Sequence, residues 1–363
     1  MKENELAKKR ENNLVNTVTG QIAVNNLGIT LFHEHIFINA QGAYQKPEDA
    51  NALILKDKKV SIKDLCLLRD FPYSCLDNCV LNDYYISLSE VLDYHSYGGN
   101  TIIEVTGINC GRSPSLLYEI SKNSNVNIIM GSSFYLDRTQ PDWAKDKDEF
   151  ELTEFLTNEI NQGINIGYSQ NIYPGVIGEV GISENFTNNE KKSLIASAKT
   201  QLITGLPLSI HTPAWKRLGN KILDICEKVG VNPNSIVLDH MDPSIHDEEY
   251  QLGLLKRNVF LEFDGIGMGL FYPGEGQNPC DEEIAVAIEN LVNKGYIKQI
   301  LLSHDVFLKI MLREYGGNGY SHILRSFVPR LQRHGLKKEM INSILINNPK
   351  QVFIQAQKCL KIN

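Results

Sequence analysis

Eight short apolar segments recur along the chain, and a stretch suited to a helix follows each of the first seven. The segments are residues 28–35, 101–106, 126–131, 175–180, 207–211, 235–240, 259–264 and 300–305. Such continuous runs of valine, isoleucine and leucine are typical of parallel strands buried on both faces. Helices are predicted over residues 87–96, 113–122, 149–162, 189–204, 219–230, 247–256 and 281–294. The alternation predicts an α/β protein, a closed (β/α)8 TIM barrel.

The main competing fold is a doubly wound open sheet, which would place a glycine-rich dinucleotide turn after its first strand. This chain has His33-Glu34-His35 there instead, which favours the barrel. With 363 residues and 42% hydrophobic content, the chain is long enough for one large barrel with insertions. We predict a polar N-terminal tail over residues 1–14 and a single barrel domain over 15–363, with closing helices from residue 318 onwards.

Composition and charge exclude several classes of protein. The net charge of -7 gives no basic footprint, so nucleic acid is not an expected partner. No apolar run is long enough to cross a bilayer, and the polar residues 1–13 do not resemble a secretory signal. The seven cysteines are scattered without a metal-binding spacing, so we expect reduced thiols and a cytoplasmic location.

Polar side chains stand where the predicted strands end. Side chains alternate along a strand, so His33 and His35 should converge on one spot while Glu34 points away. His304 should likewise point out of the barrel, and the histidines on helices or loops (95, 246, 322 and 334) are expected to be solvated. In a TIM barrel the active site lies at the carboxyl ends of the strands. The polar strand-end set is His33, His35, Glu179, His211, His240 and Asp305.

Four histidines and two acids are the ligand inventory of a binuclear divalent metal site. Zn²⁺ is the expected ion, with Mn²⁺, Co²⁺ or Fe²⁺ as alternatives. Two ions held close together need a bridging ligand, and a carboxylate bridges where a neutral imidazole does not, so Glu179 is the candidate bridge. In this assignment His33, His35 and Asp305 hold one ion, and His211 and His240 hold the other.

Several motifs then resemble those of a known family, the phosphotriesterase-like branch of the amidohydrolase superfamily. They are TVTG at 17–20, LGITLFHEH at 27–35, GGNT at 98–101, GR at 111–112, GEVG at 178–181, HT at 211–212, DHMD at 239–242, GGNGY at 316–320 and NP at 348–349. The resemblance implies a (β/α)8 barrel with two metals and an activated water that hydrolyses lactones, amides or organophosphate esters. Many members bridge the metals with a carboxylated lysine where this chain has Glu179. A glutamate supplies the same charge without CO₂.

The resemblance also implies a mechanism and a site tyrosine. A hydroxide shared by the two ions would attack the substrate carbonyl, and Asp305 would take the proton and pass it to the leaving group. Tyr135, after the third strand, corresponds to a tyrosine that helps to hold the ring oxygen in lactonase members, although it could equally be an ordinary aromatic of the rim. Members of the family often form homodimers, so a homodimer is one expected assembly.

Basic residues near the predicted mouth suggest an anionic small-molecule substrate. They are Arg112, Lys216, Arg217, Lys309 and Arg313. The expected substrate is a sugar lactone that carries a phosphate, because its anionic group fits this pattern. The enzyme would open the lactone ring by hydrolysis. The alternatives are an amidohydrolase on small N-acyl compounds, a promiscuous phosphotriesterase, and a binding protein that keeps the metals without turnover. An intact Asp305 argues against the last, because an idle site needs no acid or base.

Overall fold

The structure, a computed structural model, describes residues 13–167, 170–358 and 360. Most of the predicted tail, residues 1–12, and Cys359 lie outside the described residues. Leu14, predicted as the end of the tail, instead begins a strand, Leu14–Thr17, that pairs antiparallel with Gly20–Ala23. Six described cysteines are free thiols, and four of them are buried.

The eight predicted barrel strands are all present and lie parallel to one another. In chain order they are β1 (Thr30–Glu34), β2 (Thr101–Glu104), β3 (Asn127–Met130), β4 (Ile177–Gly181), β5 (Leu208–His211), β6 (Ile236–Leu238), β7 (Phe260–Phe263) and β8 (Ile300–Leu302). Strands β1 to β3 pair in sequence, and so do β4 to β8. A parallel bridge between Gly131 and Val176 joins the two groups on one side.

The barrel closes on its other side between β8 and β1. The backbone N–H of His33 donates to the Ser303 hydroxyl at 3.0 Å, and the Ser303 hydroxyl donates in turn to the His33 carbonyl at 2.7 Å. The backbone N–H of Asp305 also donates to the His33 carbonyl, at 3.3 Å. The first and last strands are therefore held together at the level of the predicted ligands, and the predicted (β/α)8 barrel is confirmed.

The helices that follow the strands agree with the predicted ranges to within three residues. They are α1 (Tyr84–Ser96), α2 (Pro114–Ser124), α3 (Glu149–Gln162), α4 (Asn188–Thr204), α5 (Gly219–Val229), α6 (Glu248–Leu255), α7 (Asp281–Asn293), α8 (Val328–Arg333), α9 (Lys338–Asn342) and α10 (Asn348–Lys358). The largest difference is at α1, which begins three residues early because the Asp83 carboxylate accepts from the backbone N–H groups of Tyr85 and Ile86. No helix in the described ranges could span a membrane.

Two excursions from the barrel lie near the carboxyl ends of the strands. The first, between β1 and α1, contains the short helices Ala50–Leu53 and Leu65–Asp70 and the antiparallel pair Ile38–Asn39 with Val80–Leu81. The second follows β7 and contains the antiparallel pair Phe271–Tyr272 with Gly276–Gln277. The excursions meet at Tyr73 and Tyr272, whose ring centroids are 5.8 Å apart, so the two loops together cover the mouth.

A buried apolar cluster ties the strands to the chain termini. Phe32, Ile129 and Leu301 belong to a group of strand side chains that packs with Val15 of the N-terminal hairpin and Phe353 of α10. The rings of Phe32 and Phe353 lie 6.0 Å apart. Burial of aromatic side chains of this size is worth about 1.5–3 kcal/mol each, so the hairpin and the last helix are fixed parts of the domain.

Candidate metal centre

The carboxylate of Glu179, in β4, lies at the centre of the predicted ligand set. Its Oε1 atom is 2.8 Å from Nδ1 of His211 and 2.9 Å from Nε2 of His240. The two imidazole nitrogens are themselves 2.8 Å apart. These three side chains form a compact set of donor atoms at the ends of β4, β5 and β6.

The second half of the set joins the ends of β1 and β8. Oδ1 of Asp305 is 3.2 Å from Nε2 of His35 and 3.5 Å from Nε2 of His33. Glu179 also faces this half, with Oε1 at 3.7 Å from Nε2 of His33 and Oε2 at 4.0 Å from Nε2 of His35. Its carboxylate therefore faces both groups of ligands, which is the geometry expected of a bridge.

The residues present fit two divalent cations. His33 is fully buried, yet neither of its ring nitrogens has a hydrogen-bond partner among the described residues. Buried polar atoms are normally satisfied, so an imidazole without a hydrogen-bond partner within a set of acids is suited to bind a cation. The sets His33, His35, Glu179 and Glu179, His211, His240 each place their donor atoms within 4.8 Å of one another. Imidazole with carboxylate suits Zn²⁺ and its first-row neighbours.

The electric field of the site favours cations. Burial lowers the pKa of His33 and of His240, but carboxylates around them outweigh it and hold both pKa values well above the ordinary range. Burial raises the pKa of Glu179, but His33 and His211 reverse the effect and hold that pKa well below normal. Each imidazole is thus stabilised when it binds a proton, and the same negative surroundings would stabilise a divalent ion.

The two halves of the site differ in exposure. The side chains of His33 and His35 are 0% and 5% exposed, whereas those of His211 and His240 are 17% and 12% exposed. A small molecule entering from the mouth therefore reaches the His211 side first. This is the side from which a substrate carbonyl would approach.

Two of the proposed ligands adopt backbone conformations that L-residues rarely use. His240 has φ of 61° and Asp305 has φ of 49°, and each lies just beyond the end of its strand. The backbone N–H of His240 is held by Oδ2 of Asp264 at 3.1 Å. Such left-handed residues cost of order 1–3 kcal/mol and cluster at functional sites. Their presence at two strand ends supports a functional reason for the placement of both side chains.

Hydrogen bonds from a surrounding layer orient the imidazoles. Nδ1 of His35 lies 2.8 Å from the Thr106 hydroxyl, which donates to Oε1 of Glu104 at 2.5 Å. Nδ1 of His240 lies 3.0 Å from Oδ1 of Asp264. Such partners fix the ring orientation and the tautomer of a metal-binding histidine. Sequence reasoning missed all three, although acids in the apolar segments of β2 and β7 were the available signal.

A further pair of acids lies beside His33. Oδ2 of Asp239 is 3.5 Å from Nδ1 of His33 and accepts from the Ser209 hydroxyl at 2.8 Å. Glu262 is fully buried, and neither of its carboxylate oxygens has a hydrogen-bond partner in the described part of the chain. Burial, and then the neighbouring Asp239, raise the pKa of Glu262 well above normal. Burial also raises the pKa of Asp239. A raised pKa favours the neutral form of a carboxyl group, so this pair is distinct from the charged carboxylates of Glu179 and Asp305.

Tyr135 lies at the mouth beside the more exposed half of the site. Its hydroxyl is 3.2 Å from Nδ1 of His211, and the two rings are 5.0 Å apart in an edge-on arrangement. The hydroxyl is thus close to the atoms that would bind a metal ion. A role for this hydroxyl in holding a substrate oxygen stays a prediction. Its short distance to His211 is consistent with that role.

The five predicted substrate cations are all engaged by carboxylates. Arg112 forms two hydrogen bonds to Glu159 of α3, at 2.8 and 3.1 Å, and a third to the carbonyl of Gly131. The other four pairs are Lys216 with Glu184, Arg217 with Asp247, Lys309 with Asp77, and Arg313 with Asp93. A substrate anion would have to compete with a protein carboxylate at each of these cations. A role for these five residues in substrate binding stays a prediction. The ion pairs argue against it, because each cation already has a carboxylate partner.

Two buried histidines outside the ligand set, His304 and His322, have structural partners. His304 is buried; its Nδ1 is 2.7 Å from Oε1 of Glu34, and its Nε2 accepts from the backbone N–H of Ile323 at 3.0 Å. It points away from the metal ligands, as predicted, and meets Glu34 there. The prediction that His322 is solvated was wrong, because it is buried and its Nε2 lies 2.7 Å from Oδ2 of Asp281.

Aromatic side chains roof the mouth. The ring of Tyr73 lies 6.2 Å from that of Phe307, which follows β8. Tyr272 contacts Trp215, which follows β5, at 5.3 Å between ring centroids. A cavity of about 330 Å³ adjoins Tyr73 between residues 45–48, 71–74 and 273–274. Loop residues line this cavity and none of the predicted metal ligands does, so it lies within the two excursions and not at the metal centre.

A TIM barrel with four histidines and two acids at its carboxyl mouth defines the class of metal-dependent barrel hydrolases. The model of the phosphotriesterase family matches residues 13–353, and the chain belongs to that family. An N-acetyltaurine hydrolase from Dictyostelium discoideum is 36% identical, covering 93% of this chain and 97% of that protein.

Solved structures agree with this assignment. A resiniferatoxin-binding protein from Rhodobacter sphaeroides superimposes with a TM-score of 0.90 at 38% identity, covering 94% of each chain. A lactonase from Listeria monocytogenes has a TM-score of 0.76 at 24% identity, covering 94% of this chain and 98% of that one. The second likeness concerns the fold alone. The family, the barrel and hydrolase activity are thereby established, and the exact substrate is a separate question.

Proposed function

We propose that the protein hydrolyses the amide bond of a small N-acyl compound at two divalent ions held by His33, His35, Glu179, His211, His240 and Asp305. The observation that carries the proposal is the position of the Glu179 carboxylate between two pairs of histidines. It faces His33 and His35 on one side and His211 and His240 on the other. Zn²⁺ is the proposed ion, with Mn²⁺ and Co²⁺ as alternatives that suit the same donors.

Similarity to a protein named for amide hydrolysis supports an amide over the lactone predicted from sequence. The Dictyostelium relative is 36% identical over nearly its full length and is an N-acetyltaurine hydrolase. The lactonase neighbour, at 24% identity, supports only the fold. The ion pairs of the five predicted cations also weaken the case for a phosphorylated sugar lactone.

The chain's own residues supply positioning and proton transfer. Two bound divalent ions would acidify a water molecule and polarise the substrate carbonyl. Asp305 lies 3.2 Å from His35 in one ligand group and 3.9 Å from His240 in the other. It accepts the proton of the attacking water and returns it to the leaving nitrogen. Tyr135 donates a hydrogen bond to the carbonyl oxygen as negative charge develops there. The aromatic roof limits the access of bulk water.

The test combines metal analysis with a matched substrate panel. Elemental analysis of purified protein should give about two divalent ions per chain, as in two-metal hydrolases. Purified Zn²⁺ and Mn²⁺ enzymes would be assayed with N-acetyltaurine and N-acetyl-β-alanine by amine release, and with neutral and phosphorylated sugar lactones by proton release. Amide turnover well above lactone turnover is expected. Lactones cleaved while both amides stay intact would overturn the proposal, as would full activity with one ion or none.

A further inference from the structure

Arg138 differs from the five cations predicted to contact substrate. It forms no hydrogen bond or ion pair with any residue in the described ranges, and its side chain is exposed. The five predicted cations each have a carboxylate partner. An arginine without a partner near a binding site is available to an anionic ligand at no cost of breaking an internal ion pair.

The backbone places Arg138 on a segment that packs against the end of β4. It lies in the 3-10 turn Asp137–Thr139, three residues after Tyr135, whose hydroxyl lies 3.2 Å from Nδ1 of His211. The backbone at Tyr135 runs so close to the end of β4 that a Cβ built on Gly181 would lie 2.3 Å from it. Arg138 therefore projects from a segment in direct contact with the strand that carries Glu179.

Hydrogen bonds on both sides hold this turn in place. The Gln140 side chain donates to the Tyr135 carbonyl at 2.9 Å, and the Asn109 side chain donates to the Thr139 carbonyl at 3.0 Å. The Asn189 side chain donates to Oδ1 of Asp137 at 3.0 Å. A guanidinium carried on a fixed turn loses less conformational entropy on binding a ligand than one on a mobile loop.

The positive charge of Arg138 affects ionisable groups at the mouth. Burial raises the pKa of Tyr73 and of Glu275, and the positive charge of Arg138 acts in the opposite direction on both. These residues stand on different segments, one in the excursion after β1 and one in the excursion after β7. The cation therefore lies within electrostatic range of both walls of the opening.

We propose that Arg138 is a specificity-determining residue that binds the anionic end of the substrate while the acyl carbonyl lies at the metal centre. The inference rests on the proposed amide hydrolysis and names its substrate class, a small N-acyl amine with a sulfonate or carboxylate on a short tail. A guanidinium gives two parallel hydrogen bonds to either group. The tail does not react, so its binding is the same in the ground state and the transition state and should appear mainly in KM.

Three amides of similar shape provide the test. N-acetyltaurine carries a sulfonate, N-acetyl-β-alanine carries a carboxylate at the same position, and N-propylacetamide is neutral. They would be assayed by amine release with the wild-type holoenzyme, Arg138→Ala and Arg138→Lys. The control is Lys228→Ala, because Lys228 is an exposed cation in the last turn of α5, at the opposite end of the barrel from the mouth.

The wild-type enzyme should prefer the anionic amides, and Arg138→Ala should lower kcat/KM for them at least tenfold, mostly through KM. The neutral amide should change less than twofold, Arg138→Lys should recover part of the loss, and Lys228→Ala should behave as wild type. The sulfonate and carboxylate arms show which anion the site prefers.

Equal efficiency of the wild type on all three amides would overturn the inference and leave the proposed function intact. An equal loss on all three in Arg138→Ala would do the same, since it would indicate a structural role for Arg138. Failure of the wild-type holoenzyme to cleave any amide would instead overturn the proposed function together with the inference that rests on it.

Discussion

The strand ends of the barrel and the loops above them are held in place by different interactions. At the strand ends, Glu179, His33 and Asp305 are buried, and His33 lies 3.7 Å from Glu179 and 3.5 Å from Asp305. Backbone hydrogen bonds between neighbouring strands hold them in place. In the loops, Tyr73, Trp215 and Tyr272 come from three separate segments and meet only through ring packing. We expect the first region to determine which bond is broken and the second to determine which molecule is admitted.

This difference shows why one family holds many substrates. A parallel barrel brings the ends of eight strands to one place whatever the loops contain, so a metal centre built there tolerates loop changes. The roof is assembled from irregular segments that can vary without loss of the barrel. Substitutions in the two regions should therefore have different consequences, and the following experiments test that division from the largest expected effect to the smallest.

The largest effect is expected at the strand ends. Asp305→Asn keeps an oxygen that can face a metal ion but cannot accept a proton, so kcat should fall on the order of 10²–10⁴-fold while KM changes little. Steady-state kinetics together with metal analysis of the variant would check this. A variant that retains its metal and turns over near the wild-type rate would remove Asp305 from proton transfer.

Arg112→Ala should affect stability and not substrate choice. The Arg112 and Glu159 side chains are 10% and 12% exposed, and removing one partner of a buried ion pair costs about 3 kcal/mol. Urea denaturation would measure the loss of unfolding free energy. If Arg112 were a substrate contact instead, stability would hold and KM for an anionic substrate would rise.

Tyr135→Phe tests the border between the two regions. If the hydroxyl near His211 stabilises charge on the substrate oxygen, its loss should lower kcat/KM about tenfold, or ~1.4 kcal/mol in the transition state. Kinetics on an amide with and without the anionic tail should show the same loss for both. An unchanged rate would make Tyr135 an ordinary aromatic of the rim.

The smallest effect is expected for an exposed loop pair. Arg217 and Asp247 are 34% and 41% exposed, and surface pairs of this kind contribute about 0–1 kcal/mol. Arg217→Ala should therefore change the unfolding free energy by less than about 1 kcal/mol. This variant is the matched control for Arg112→Ala, since each substitution removes the arginine of one arginine–carboxylate ion pair. A loss as large as that in Arg112→Ala would show that exposure does not separate the two pairs.

The strand-end ligands could be predicted because their pattern is local. Alternation along β1 is enough to place His33 and His35 together, and burial of the apolar strands limits where the chain can run. The sequence also indicated that Glu34 and His304 point elsewhere, although it could not show that they meet. That contact joins residues 270 positions apart, and no local pattern encodes it.

The loop residues could not be assigned because their partners are distant in the sequence. Arg112 was predicted as a substrate contact because it follows β2, but Glu159, 47 positions later in α3, neutralises it. Arg138 could not be predicted from the sequence, because an arginine in a polar turn has no distinctive pattern. What distinguishes it is the lack of a partner in the described structure, and only three-dimensional contacts can reveal that.

The seam between β8 and β1 has a consequence for how the protein assembles. His33 and Ser303 are bonded across 270 positions, and the ligands His33, His35 and Asp305 stand on the two sides of that junction. An ion bound there would cross-link the first and the last strand of the barrel. A barrel that lacks its last strand would lack Asp305, one of these three residues, so tight metal binding would indicate that the ring of strands is complete. Closing so long a loop is entropically unfavourable, and the free energy of binding an ion across the junction would offset part of that cost.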